Sequence, residues 1–205
     1  NNSVIKNAIT INSGKSLTTA AANAATAGAS TAGITNTVNN VGTLNLTGGS
    51  VIAAITGAGT TVIDGALTNS SVIKNAITIN SGKSLTTAGA NATTAGAATA
   101  GITNTVNNAG TLTLTGGNVL GAVTGAGETI INGAVTNNSV IKNAITINSG
   151  KSLTTAGSNT ATAGAATSGI TNTVNNAGTL NLNGGSIIAA VSGDNGVLNV
   201  TGNST

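Results

Sequence analysis

The string SVIKNAITINSGKSLTTA occurs three times without a change, at residues 3–20, 71–88 and 139–156, with a constant offset of 68. GITNTVNN recurs at the same offset, at 33–40, 101–108 and 169–176. Self-similarity at a fixed long period means that one supersecondary unit is repeated, and that neighbouring units bury what a single unit cannot. The copies span 1–68, 69–136 and 137–192. The pattern then breaks into GDNGVLNVTGNST, which is read as 193–205 opening a divergent cassette on one continuous solenoid of residues 1–205.

The unit is built from few residue types. Phe, Tyr, Trp, Met, Cys, His, Pro and Arg are all missing, and 4% of the chain is charged. Aromatic rings supply much of the buried area of an ordinary core, so this chain needs a thin core of stacked Val, Ile and Leu. Disordered chains are charged and poor in β-branched residues, and this one is neither. The formal net charge of +3 comes from six lysines against Asp64, Glu128 and Asp194. Six dispersed lysines make no clustered basic footprint, so no nucleic acid is expected as a partner. No apolar run reaches the roughly 18 residues of a membrane span, so no membrane insertion of this segment is expected.

Local patterning points to strands. Ile9 and Ile11 flank Thr10, and Leu44 and Leu46 flank Asn45, both with period 2. Gly14, Gly42, Gly48 and Gly49 bound these runs. Gly57 and Gly59 separate two further apolar runs, near 51–55 and 62–67. Short strands between Gly and Asn corners describe a parallel β-solenoid, because corners need left-handed backbone. The fold class expected is all-β: a parallel β-helix (β-solenoid) built from three copies of the repeat. Each repeat would hold about three coils of roughly 22 residues, about nine coils in all. Equivalent corner Asn residues would then stack and satisfy their amides. The Ala/Gly/Thr stretches 18–33, 86–101 and 154–169 are read as narrow coils with Ala inside, against a loop pushed out of the stack. An immunoglobulin-like sandwich is the alternative fold, disfavoured by the missing aromatic anchors.

GVLNVTGNST at 196–205, the GTLNLTGG phrase and the long Ala/Gly/Thr/Asn/Val repeats resemble the passenger regions of the large rickettsial outer-membrane surface antigens, which are autotransporters. That resemblance implies a right-handed parallel β-helix on the cell surface, with a part in host-cell adhesion and no catalytic residues. Neither the secretion signal nor the C-terminal barrel of that family falls within this sequence.

Two motifs suggest chemistry and fail on spacing. SGKS at 13–16, 81–84 and 149–152 resembles the end of a phosphate-binding loop. Ile9, Ile77 and Ile145 stand where that loop needs its first glycine. GAG at 57–59 and 125–127 lacks the last glycine of a dinucleotide fingerprint, having Val62 and Ile130 there. With no His or Cys, and no carboxylate that recurs between copies, no catalytic, cofactor-binding or metal-binding residues are assigned, and an enzyme is not expected. The TLTLT run at 111–115 raises ice binding, but one such strand in each repeat unit is expected to leave no continuous Thr array.

The function expected is a structural or adhesive repeat segment of a bacterial surface autotransporter, extracellular, without cofactors. Its partners would be a host-cell surface or other copies of itself. A filament subunit stacking end to end and an ice-binding solenoid are the alternatives.

Overall fold

A computed structural model describes residues 3–21, 33–89, 101–155, 169–185 and 187–201. The described residues contain β-strands and no helix. The first copy carries ten strands: β1 (Val4–Ile5), β2 (Ile9–Ile11), β3 (Ser16–Thr19), β4 (Gly33–Ile34), β5 (Val38–Asn40), β6 (Thr43–Leu46), β7 (Gly49–Val51), β8 (Ile55–Thr56), β9 (Thr60–Ile63) and β10 (Ala66–Asn69).

Among the described residues the strand pairings are parallel. Through the first two copies each joins a strand to the third one along the chain. Thus β1 pairs with β4, β2 with β5, β3 with β6, β6 with β9 and β7 with β10. Three strands therefore make one coil, and the solenoid has three faces. The expected parallel β-solenoid is what forms.

The coils differ from the uniform ring expected from sequence. Along the plain wall the numbering of lateral partners advances by 17 from Thr43 to Thr60, by 16 from Thr60 to Ala76 and by 18 from Ala66 to Ser84. Across the Ala/Gly/Thr stretch it advances by 27 from Ser16 to Thr43 and by 29 from Val4 to Gly33. The excess over a plain coil matches the length of the stretch 22–32, which lies outside the described residues along with 90–100 and 156–168. The narrow coil expected there falls mostly on those residues. Its described flanks belong to neighbouring coils: Gly33 pairs directly with Val4, leaving no place between them for a further ring.

Ten described strands in each of the first two copies and three per coil give three and one third coils per copy, so the repeat and the coil are out of phase. Each copy begins one face further round the axis. The strand β2 and its counterparts Ala76–Ile79 and Ala144–Ile147 have the same core sequence, yet they lie in three different sheets. Ten coils restore the phase after three copies. At about 4.8 Å per coil, one copy adds about 16 Å and three copies about 48 Å.

The core runs along the axis as columns of aliphatic side chains. On one face Leu17, Leu44, Thr61, Ile77, Val106, Val123, Ile141 and Ile170 stack in register. From Leu44 to Val123 the exposure of these side chains is 2% or less. Fully burying one such aliphatic contributes about 1.5–3 kcal/mol, so the column replaces the aromatic anchors of a globular core.

The last described strand, Val197–Val200, pairs with the β6 counterpart Thr179–Leu182. The divergent sequence after Ser192 thus continues the same ladder.

Candidate functional site

The most elaborate polar structure is at the corners and lies inside the wall. Asn40 ends β5, and Asn75 precedes the strand Ala76–Ile79 two coils away; both side chains are fully buried. Asn40 Nδ2 donates to Thr60 O at 2.9 Å and to Asn75 Oδ1 at 3.2 Å. Thr61 Oγ1 donates to the same Asn75 Oδ1 at 3.1 Å, and Gly42 N donates to Asn40 Oδ1. Asn75 Nδ2 donates to Gly57 O at 2.6 Å. The second copy repeats the arrangement with Asn108, Asn143 and Thr129.

The coil between the two asparagines carries the GAG corner. A Cβ on Gly57 would collide with Asn40 O, and one on Gly59 would collide with Gly42 O. Glycine is required there because neighbouring backbone fills the space, and Gly57 also has φ +95. The corner amides expected from sequence do bond along the stack, but as pairs reaching across a glycine coil. The signal for this in the sequence is the joint spacing of Asn40, GAG and Asn75, which the single positions do not reveal.

The SGKS motif forms a turn between β2 and β3. Gly14 has φ +70, and Lys15 N donates to Asn12 O. Its second copy places Lys83 Nζ 3.9 Å from Asp64 Oδ1, with both side chains more than a third exposed. Such a pair contributes little, with a median of about 0–1 kcal/mol. Glu128 accepts from Thr146 Oγ1 at 2.5 Å, and Asp194 lies exposed in a late corner. The three carboxylates are thus in different coils beside different partners, and among the described residues no three metal-ligating side chains come together.

The outward face differs from expectation. Each strand's lateral neighbours come from other parts of the repeat, so Thr113 of the TLTLT run stands beside Thr86, and Thr86 beside Thr68. Ser84 likewise adjoins Thr111. The column of threonines then ends at Ile130, and Ser84–Thr111 ends at Glu128. Elsewhere Thr and Asn meet as lateral neighbours in the outward columns, as where Asn45 Nδ2 donates to Thr18 Oγ1 at 3.1 Å and Asn181 Nδ2 to Thr154 Oγ1 at 3.2 Å.

In each copy a shallow apolar crevice opens where the strand order breaks, between β4 and β7 and at the counterpart positions. The first is lined by Ala21, Ile34, Val38, Leu46, Val51 and Ile55. No family model matches the chain, and neither a curated protein nor a solved structure matches it.

Proposed function

We propose that the chain is a non-catalytic, length-giving segment of a bacterial cell-surface protein of autotransporter type. In that role it holds a distal part away from the cell and offers a repetitive Thr/Asn surface for weak adhesion. The observation that carries this proposal is the stacking of near-identical units. Each copy joins the next through the same parallel pairings that operate within a copy, so repetition converts directly into axial length. The outward Thr and Asn side chains are hydrogen-bonded to one another and sparsely charged. They lack the aromatic or Arg anchors from which discrete high-affinity sites are built. Adhesion by such a surface grows by multivalency.

Three-copy and six-copy chains, labelled and applied to host cells, test the proposal. Weak binding by three copies that strengthens steeply with six is expected. Tight, saturable binding by three copies, unchanged by doubling, would contradict it.

A further inference from the structure

The aliphatic core alone does not specify how successive copies stack. Burial of apolar side chains is non-directional, and the inward positions repeat one pattern. Ala76–Ile79 seats on Thr60–Ile63, setting Ile77 and Ile79 over Thr61 and Ile63. The same two side chains would be buried on Thr43–Leu46, over Leu44 and Leu46, if the coil between were left out of the wall. The strand Val72–Ile73 would then seat on β5 in place of β8, with Ile73 over Val38 instead of Ile55. Strands this short and this alike leave their register weakly specified.

The asparagine pairs distinguish the two arrangements. β5 pairs with β8 at Asn39 and Thr56, and β8 pairs with Val72–Ile73 at Ile55 and Ile73. Continuing that register sets Asn40, Gly57 and Asn75 in successive coils of one column, with the two amides meeting across the glycine at 3.2 Å. Asn40 belongs to the first copy and Asn75 to the second, so the contact crosses the junction between copies. Asn108 and Asn143 span the next junction in the same way, across Gly125.

The other partners of the pair lie in the coil between, apart from Gly42 N. Asn40 Nδ2 donates to Thr60 O, and Asn40 O accepts from Gly59 N at 2.8 Å. Asn75 Nδ2 donates to Gly57 O and lies 3.3 Å from Thr56 O, and its Oδ1 accepts from Thr61. Thr61 is fully buried in an aliphatic column, where this bond accounts for its hydroxyl. Without the intervening coil both amides would be buried without these partners, and neither would have the space that Gly57 leaves open. A buried polar group left unpaired bears its full desolvation cost, and a buried network complete in one arrangement specifies that arrangement.

We infer that each asparagine pair is a register lock: it clamps the coil between its members and so fixes the number of coils, and with it the third-of-a-turn phase, from one copy to the next. The aliphatic columns supply the stability of the wall and the amides supply its register. The lock acts within the wall and does not depend on the adhesive role.

Disulfide formation measures the register, because the chain has no cysteine of its own. Asn45, Val62 and Thr78 follow one another in an outward column. Adjacent members are about 4.8 Å apart, within reach of a disulfide, whereas Asn45 and Thr78 are about 10 Å apart, beyond it. Chains carrying Val62→Cys with Thr78→Cys, or Asn45→Cys with Thr78→Cys, are refolded from urea and mildly oxidised. In the parent background 62/78 links and 45/78 does not. Asn75→Leu, which keeps the volume and removes the amide, should make 45/78 link in a substantial fraction of molecules and lower the 62/78 yield, with the β-type far-UV spectrum retained. Ile79→Val weakens the same strand without touching the amides and should leave 45/78 unlinked. A 45/78 link in the parent or in Ile79→Val, or none in Asn75→Leu, would overturn the inference. Should Asn75→Leu lose its β spectrum, Thr61→Val decides in its place: it removes one bond of the lock and should link 45/78 in a smaller fraction, and no link there would overturn the inference.

Discussion

Ile77 and Lys83 are close neighbours in sequence and show how sharply this wall separates inside from outside. Ile77 is 1% exposed and sits in an aliphatic column; Lys83 is at a turn with its charge in water. Ile77→Asp places an unpaired carboxylate between coils and should cost several kcal/mol, read as a large fall in the denaturant midpoint. Lys83→Ala should change stability by less than about 1 kcal/mol. The glycines divide in the same way. Gly82 has open space where a Cβ would go, so Gly82→Ala bears only the left-handed backbone penalty of about 1–2 kcal/mol. Gly59→Ala drives a methyl into the carbonyl of Gly42 and should exceed it clearly. Equal midpoints for the two glycine variants would refute the packed-corner account. The inward and outward assignments at this scale were legible from alternation alone. The Asn40–Asn75 pair was not, because its members are 35 residues apart and meet only once the coil length is known.

Among the elements, the strands and corners followed from Ile9–Ile11, Leu44–Leu46 and the intervening glycines, whereas the length of a coil did not. Sequence shows where the chain can turn but not how many turns close a ring. The Ala/Gly/Thr stretch also inflates the average, merging short coils such as the one from Thr60 to Ala76 with the long one from Val4 to Gly33. Gly101 abuts Gly89, where a Cβ would collide with Gly89 O, so the wall comes back to itself on either side of 90–100. Deleting 90–100 should therefore give a plain coil and leave the β spectrum and cooperative unfolding intact. A deletion of the same size at 106–116 instead removes two core strands, Val106–Asn108 and Thr111–Leu114, and should abolish the fold. Loss of structure in the first deletion would show that the stretch is part of the wall.

At the scale of the whole molecule, strand pairing joins each coil only to its neighbours, so stability accumulates along the axis and end effects dilute. Chains of two, three and four copies should show rising midpoints in urea; identical midpoints would indicate independent beads. What sets this solenoid apart is its phase: successive copies stand a third of a turn apart, and lateral neighbours come from different places in the repeat. Spin labels measure that phase directly, because the chain has no cysteine of its own. Thr86 and Thr113 are lateral partners on one outward face, whereas Thr86 and Thr154 are the same position in successive copies on different faces. Cysteine pairs at 86/113 and 86/154 are labelled and their dipolar coupling recorded. Strong broadening is expected for 86/113, from adjacent strands about 5 Å apart, and none of that kind for 86/154, whose axial separation alone is about 16 Å. Comparable broadening in both pairs, or none at 86/113, would contradict a three-faced solenoid of three and one third coils per copy.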